Sequence, residues 1–463
     1  MNKMKMYGLF LCMACGALTP ALAETAPLNT PEVEATEKVE DGILSYFSEY
    51  LSGNTDDEFE SKKSLKRARV DEFQALVWKM WKKANQQFDE DKLPAIQPLT
   101  EKTATRWKLP EKLEPNCTMP FFWGSKGELQ GRSPMFLYLH GSGPKASEWS
   151  IGLQICKQFD DAPSLYFIPQ IPNEGNYYRW WQKAKQFAWN RVLRQSLLLD
   201  EVDPNRLYVF GISEGGYGSQ RLASFYGDYW AAAGPMAGGE PLKNAPVENC
   251  ANIGFSLRTG ANDYGFYRHI LTGYVNDAFN EAEKKHPGLF AHKVDLIPGC
   301  GHHIDYRPTT PWLKEFVRNP YPKYVSWENF EMDGWYRNGF YNIQVLERSN
   351  KTEDTRTYYE MEIKGNEISM RVDEVTYKAI EKDPRWGIEM KFERSYKPAT
   401  QGKFLIYLND ELVDLSQKVK VTVNGKQVFY GKVKPRLEHM VNSCATFFDP
   451  MRIFPAAVEV ELD

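Results

Sequence analysis

The run Leu207-Tyr208-Val209-Phe210-Gly211-Ile212-Ser213-Glu214-Gly215-Gly216 limits the possible folds of this chain more than any other stretch. Leu207–Ile212 reads as a buried strand and Gly215–Tyr226 as a helix, which leaves Ser213 on the turn between them. Gly211 and Gly215 flank the serine as Gly-x-Ser-x-Gly, where missing side chains let the chain reverse tightly. The helix that follows points free N–H groups and its positive dipole end at negative charge developing near the serine. The bare pattern arises by chance in loops. Framed by a strand and a helix, it marks Ser213 as a candidate nucleophile.

The surrounding sequence repeats the same alternation. Met135–Leu139, Leu165–Ile168, Phe255–Thr259 and Lys293–Ile297 are further short apolar runs. Helical stretches lie near 148–159, 183–199 and 267–285. Strands alternating with helices predict an α/β fold, a mostly parallel sheet with helices on both faces, over residues 96–322. Sites in such sheets lie at the carboxyl ends of the strands. From Val325 onward the period changes to two, with runs at Tyr358–Ile363, Ile368–Val372, Ile388–Phe392 and Phe404–Leu408. Asn424-Gly425, between Val421–Val423 and Val428–Tyr430, suits a type I′ hairpin turn. Residues 323–463 are therefore expected to form a β-rich, sandwich-like domain. Residues 24–95 are read as an acidic, weakly patterned arm to about residue 60 and then a helix. In that helix Val70, Phe73, Leu76, Val77, Met80, Trp81 and Ala84 recur at helical spacing.

Lys3 and Lys5, an apolar run from Met6 to Leu22 and Ala21-Leu22-Ala23 describe a signal peptide over residues 1–23, cleaved after Ala23. Export to the periplasm or the cell exterior follows, with a lipoprotein anchor at Cys15 as the lesser alternative. No later stretch reaches the ~18 apolar residues of a spanning helix. Against 57 basic stand 61 acidic residues, a net charge of −4, which excludes a general nucleic-acid binder. Of seven cysteines, Cys117, Cys156, Cys250, Cys300 and Cys444 remain after cleavage. An odd number leaves at least one free thiol, and the expected disulfide joins Cys250 to Cys300.

An acid and a base are expected after the serine in the order Ser, Asp, His. Asp263 follows the run Phe255–Thr259 and His302 follows Lys293–Ile297, each at the carboxyl end of a strand. His302 would take the Ser213 proton, and Asp263 would hold the imidazole tautomer and stabilise its cation. Asp295, inside a strand, is the rival for Asp263, and His303 for His302. His140-Gly141-Ser142-Gly143 closes another strand, so the backbone N–H groups of Ser142 and Glu214 are the candidate oxyanion donors. His140 is expected to brace that loop. Tyr178, Trp180 and Trp181 form either an apolar platform for substrate or core packing for the next helix. Glu214 and Glu240 either place negative charge near the pocket or serve as hydrogen-bonded scaffold. Cys300, His302, His303 and Asp305 come from one short segment without His-Glu-x-x-His, so no metal is expected.

With these motifs together, the central region resembles an α/β-hydrolase over roughly residues 100–322. Within that superfamily it is similar to exported bacterial esterases of the polyhydroxybutyrate-depolymerase and feruloyl-esterase type, and to the catalytic domain of prolyl-oligopeptidase-like peptidases. The resemblance implies Ser213 as nucleophile, His302 as base, Asp263 as acid, and no cofactor. It departs from the peptidases in having a β-rich domain after the hydrolase domain rather than a propeller before it, and Glu214 beside the nucleophile. The expected function is a secreted serine esterase acting on a small-molecule or polysaccharide ester, with acylated carbohydrate favoured by the aromatic loop and the export signal. The alternatives are a serine peptidase, in which Glu214 and Glu240 hold a substrate amine, and a catalytically inactive glycan-binding protein.

Overall fold

Eight strands build the main sheet of the computed structural model, which describes residues 31–61, 63–352 and 354–463. The signal peptide, its cleavage site and Cys15 fall outside the described residues. The strands are β1 (Ala104–Lys108), β2 (Thr118–Lys126), β3 (Ser133–Leu139), β4 (Ser164–Pro169), β5 (Val202–Ile212), β6 (Ala232–Met236), β7 (Gly254–Gly260) and β8 (His292–Ile297). Their order is β1-β2-β4-β3-β5-β6-β7-β8. β1 and β2 run antiparallel to their neighbours, and from β4 to β8 every pairing is parallel.

Alternate residues of the central strands feed two cores, as the period of two requires. Leu137, Leu139, Phe167, Leu207 and Val209 pack on one face under α4 (Lys183–Leu197), α5 (Glu214–Phe225) and α6 (Arg268–Lys285). Phe136, Tyr138, Tyr166, Tyr208 and Phe210 pack on the other under α3 (Lys145–Gln158) and α7 (Thr309–Leu313). Burial on both faces explains why β3, β4 and β5 read as continuous apolar runs.

Two compact units divide the chain at Gly42 and Ile43. The smaller holds, among the described residues, the first part of α1 (Pro31–Leu51). In the larger unit the rest of α1 buries Ile43 and Phe47, four residues apart on one face, with the Phe47 ring edge-on to Trp81 at 5.0 Å. A helix thus replaces much of the expected arm. The polar residues that made it look unpatterned, Glu37, Asp41 and Glu49 among them, are exposed. The helix expected next is α2 (Val70–Asn85), with Phe73, Val77, Met80, Trp81 and Ala84 buried.

The C-terminal region holds two sheets. β10 (Gly339–Phe340), β11 (Ile343–Glu347), β15 (Lys403–Leu408) and β18 (Ala456–Glu461) form one. The other has β9 (Tyr324–Asn329), β12 (Thr355–Lys364), β13 (Glu367–Lys382), β16 (Lys418–Val423) and β17 (Lys426–Lys432), with β14 (Glu389–Pro398) paired to the far half of β13. Residues of both sheets, including Trp327, Tyr359, Ile406 and Val421, share one core, which makes a sandwich. Asn424 and Gly425 both take positive φ, 48° and 81°, as the I′ turn demands.

Charges tie this region to the hydrolase-like one. Asp228 pairs with Arg337 at 2.6 Å and with Arg452, while Asp449 pairs with Arg318 at 2.7 Å and Arg452 at 2.8 Å. The carboxylates and two of the three guanidiniums are fully shielded from solvent. The Cys250–Cys300 disulfide does not form: both are free thiols, and Cys250 is buried with Sγ 4.0 Å from the Ser224 hydroxyl. Cys117, Cys156 and Cys444 are likewise free and buried.

Candidate active site

Ser213 sits between β5 and α5 with φ 57° and ψ −112°, a left-handed conformation that a non-glycine residue holds only when its surroundings enforce it. Its N–H donates to the Met236 carbonyl of β6 at 2.9 Å. The flanking glycines are steric necessities. A Cβ on Gly215 would stand 1.9 Å from the Leu139 carbonyl oxygen, and one on Gly211 2.4 Å from that of Gly215.

A chain of hydrogen bonds starts at this turn. The Ser213 hydroxyl lies 2.9 Å from His302 Nε2, and His302 Nδ1 lies 2.7 Å from Asp263 Oδ2. With Nδ1 donating to the carboxylate, Nε2 is left to accept from the serine. Asp263 is buried, and its other oxygen accepts from Arg268 Nη1 at 2.7 Å. Arg268, at the start of α6, escaped the sequence reading because nothing local marks it. The rivals lie elsewhere. Asp295 pairs with Arg258 at 2.8 Å, and the exposed His303 ring is 6.0 Å from that of His302.

The His140–Gly143 loop closes against the serine. A Cβ on Gly141 would lie 3.5 Å from Ser213 Cβ, and Ser142 is exposed beside it. Glu214 opens α5, where first-turn N–H groups have no partner within the helix. Tyr178 and Trp180 resolve as scaffold rather than platform. The Tyr178 hydroxyl donates to the carbonyls of Gly141 at 2.7 Å and Gly143 at 2.9 Å. Trp180 is completely buried, donates Nε1 to the His140 carbonyl at 3.0 Å, and packs on Gly218. Burial pulls His140 down to about 4, so its ring is neutral: Nδ1 donates to the Gly141 carbonyl and Nε2 accepts from the Ile171 N–H.

Trp181, half-buried, lines a cleft of about 510 Å³ together with Glu214, Tyr217, Arg221 and Glu240. The Arg221 guanidinium stacks 3.8 Å above the Trp181 ring and makes a bidentate pair with Glu240, at 2.7 and 3.1 Å. Asn244 adds a third bond to Glu240 at 2.9 Å, so that carboxylate is scaffold. Glu214 differs. One oxygen faces Arg179 at 3.5 Å, the other is buried without a hydrogen-bond partner, and burial pushes the carboxyl up to about 7.

The strand order, the single antiparallel edge and the strained turn at the end of β5 are those of one fold. The chain folds as an α/β-hydrolase. No family model matches it. It is 26% identical over 166 residues to feruloyl esterase B of Thermothelomyces thermophilus, a match covering 32% of this α/β-hydrolase chain and 56% of that enzyme. The chain thus spans little more than half the length of that curated relative. Among solved structures it is similar to a thermostable esterase at 20% identity, covering 46% of this chain and 63% of the other with a TM-score of 0.36. It is also similar to Est1E from Butyrivibrio proteoclasticus, at 14% identity, 46% and 96% coverage and a TM-score of 0.34.

Proposed function

We propose that this α/β-hydrolase cleaves carboxylic esters, with Ser213 as nucleophile, His302 as general base and then acid, and Asp263 as the group that orients the imidazole. The observation that carries the reading is the unbroken hydrogen-bond chain from Ser213 through His302 to Asp263, starting at a strained turn at the end of β5. The Ser213 hydroxyl attacks the ester carbonyl while its proton passes to His302 Nε2. The tetrahedral oxyanion is met by the Glu214 N–H and the Ser142 N–H, the largest single stabilisation expected. His302 returns the proton to the alkoxide leaving group, and an ester bond to Ser213 remains. Water activated by the same histidine then cleaves the acyl-enzyme and regenerates the hydroxyl.

Acylated carbohydrate outside the cell is the proposed natural substrate, supported by the export signal in the sequence and the aromatic side chains of the cleft. The peptidase alternative drew on Glu214 and Glu240 as a seat for an amine. Glu240 is already held by Arg221 and Asn244, and Glu214 is half neutral near pH 7. Ester chemistry therefore fits the site better. Turnover of a short-chain aryl ester by wild type, abolished in a folded Ser213→Ala variant, is the expected result. Near-wild-type activity in that variant overturns the assignment.

A further inference from the structure

The cleft beside Ser213 has two walls of different origin. Trp181, Glu214 and Tyr217 of the hydrolase region face Trp386, Ile388 and Phe392, which belong to the β13–β14 hairpin more than 160 residues further along the chain. Beyond Thr376 the end of β13 pairs with β14 alone, so this hairpin stands clear of the sandwich. Its tip is anchored on the segment that carries Asp263. The Tyr267 hydroxyl donates to Asp383 at 2.7 Å, the Phe266 and Trp386 rings lie 4.7 Å apart, and Lys243 bonds Glu389 at 3.2 Å. Phe266 and Tyr267 take consecutive positive φ values of 50° and 59°. Two consecutive non-glycine residues held there store backbone strain, of the kind that gathers at functional segments.

The tip is held firmly, yet the two rings at this contact are bare: Trp386 of the tip is 49% and Phe266 of the anchoring segment 43% exposed. Large aromatic surface left uncovered inside a cleft is surface for a ligand. Across from it Glu214, itself 92% buried (8% exposed), has a carboxyl oxygen with no hydrogen-bond partner. A half-neutral carboxyl can donate to or accept from a hydroxyl group. Together these make a slot with an apolar wall and one polar hook.

We infer that the β13–β14 hairpin is the specificity wall of this active site, and that Trp386 packs on a hydroxyl-bearing six-membered ring of the ester, with Glu214 bonding that hydroxyl. Such a ring has two sources: an aromatic acyl group or a sugar on the alcohol side. The inference rests on ester cleavage at Ser213 and adds the role of the C-terminal region.

The test compares kcat and KM of wild type, Trp386→Ala and Trp386→Phe on methyl ferulate, acetylated xylo-oligosaccharide and methyl acetate. Trp386→Ala should lose about tenfold more kcat/KM on one ring-bearing ester than on methyl acetate, chiefly in KM, and Trp386→Phe should restore most of it. A loss on methyl ferulate assigns the acyl ring, and one on the oligosaccharide assigns the sugar. Equal changes on all three esters, or none, overturn the inference. Should wild-type Ser213 prove unreactive, the esterase reading fails separately. Tryptophan-fluorescence titration with ferulate and with xylotriose then decides the wall: affinity lost in Trp386→Ala supports it, and affinity unaltered or absent in wild type overturns it.

Discussion

In the proposed mechanism Arg268 and Glu214 are neighbours that bear directly on the reacting groups. Arg268 fixes Asp263 from the side opposite His302. Arg268→Met leaves one oxygen of a buried carboxylate unpaired and free to turn the acid away from the imidazole. The expected result is kcat lower by about tenfold or more with KM little changed, read from steady-state kinetics on an aryl ester. Glu214 gives a pH signature. Burial raises its carboxyl from 4.5 to about 7, so it is neutral below that value and anionic above. Negative charge beside the forming oxyanion opposes acyl transfer, so the kcat/KM ratio of Glu214→Gln to wild type should rise from about pH 6 to about pH 8. Stability follows the same sign. The folded state binds this proton more tightly than the unfolded chain, so the contribution is complete below about 4.5 and lost as pH climbs through 7. Glu214→Gln should flatten that part of a stability–pH curve measured by denaturant titration.

At the scale of elements, the loop after β3 depends on a tyrosine from the next crossover. Tyr178→Phe removes the hydroxyl that gathers the Gly141 and Gly143 carbonyls, and with it, in the proposed mechanism, the placement of the Ser142 N–H as an oxyanion donor. A kcat loss of about tenfold, with folding and KM retained, is the expected outcome. The same level shows what was legible in the sequence. β3, β4, β5 and β7 announce themselves as apolar runs because both faces are buried, while β8, at the exposed edge, shows only through Val294, Leu296 and Ile297. β6 does not: Ala232–Met236 is small and broken by proline, since a Cβ on Gly234 would come within 2.6 Å of Thr309 as α7 crosses close above. β1 is a short edge strand, β2 beside it is interrupted by Pro120, and α1 hides the core residues Ile43 and Phe47 among exposed polar ones. Ser213, Asp263 and His302 could be picked out because each ends an apolar run in a fixed chain order. Tyr178 and Trp180 could not be sorted into scaffold or platform, because only their depth under the His140–Gly143 loop decides it. The hairpin wall was invisible for a plainer reason: Phe266 and Trp386 meet only after the whole chain has folded.

For the whole molecule, the buried cluster of Asp228, Asp449, Arg318, Arg337 and Arg452 holds the sandwich against the hydrolase sheet and so keeps the hairpin over the cleft. Asp228→Ala would leave Arg337 without its carboxylate partner and Arg452 with Asp449 alone. It should destabilise the protein by about 3–5 kcal/mol in denaturant unfolding. If the sandwich had no part in the cleft, a mild loosening there would leave catalysis on ring-bearing esters untouched. With the hairpin as a wall, KM for those esters rises before the fold is lost. The central claim is that Ser213 is an activated nucleophile. It is tested most directly by intact-mass spectrometry after treatment with a fluorophosphonate probe. A single adduct on wild type that disappears in Ser213→Ala is the predicted result; well-folded wild type that takes no adduct, or a variant labelled like wild type, would contradict it.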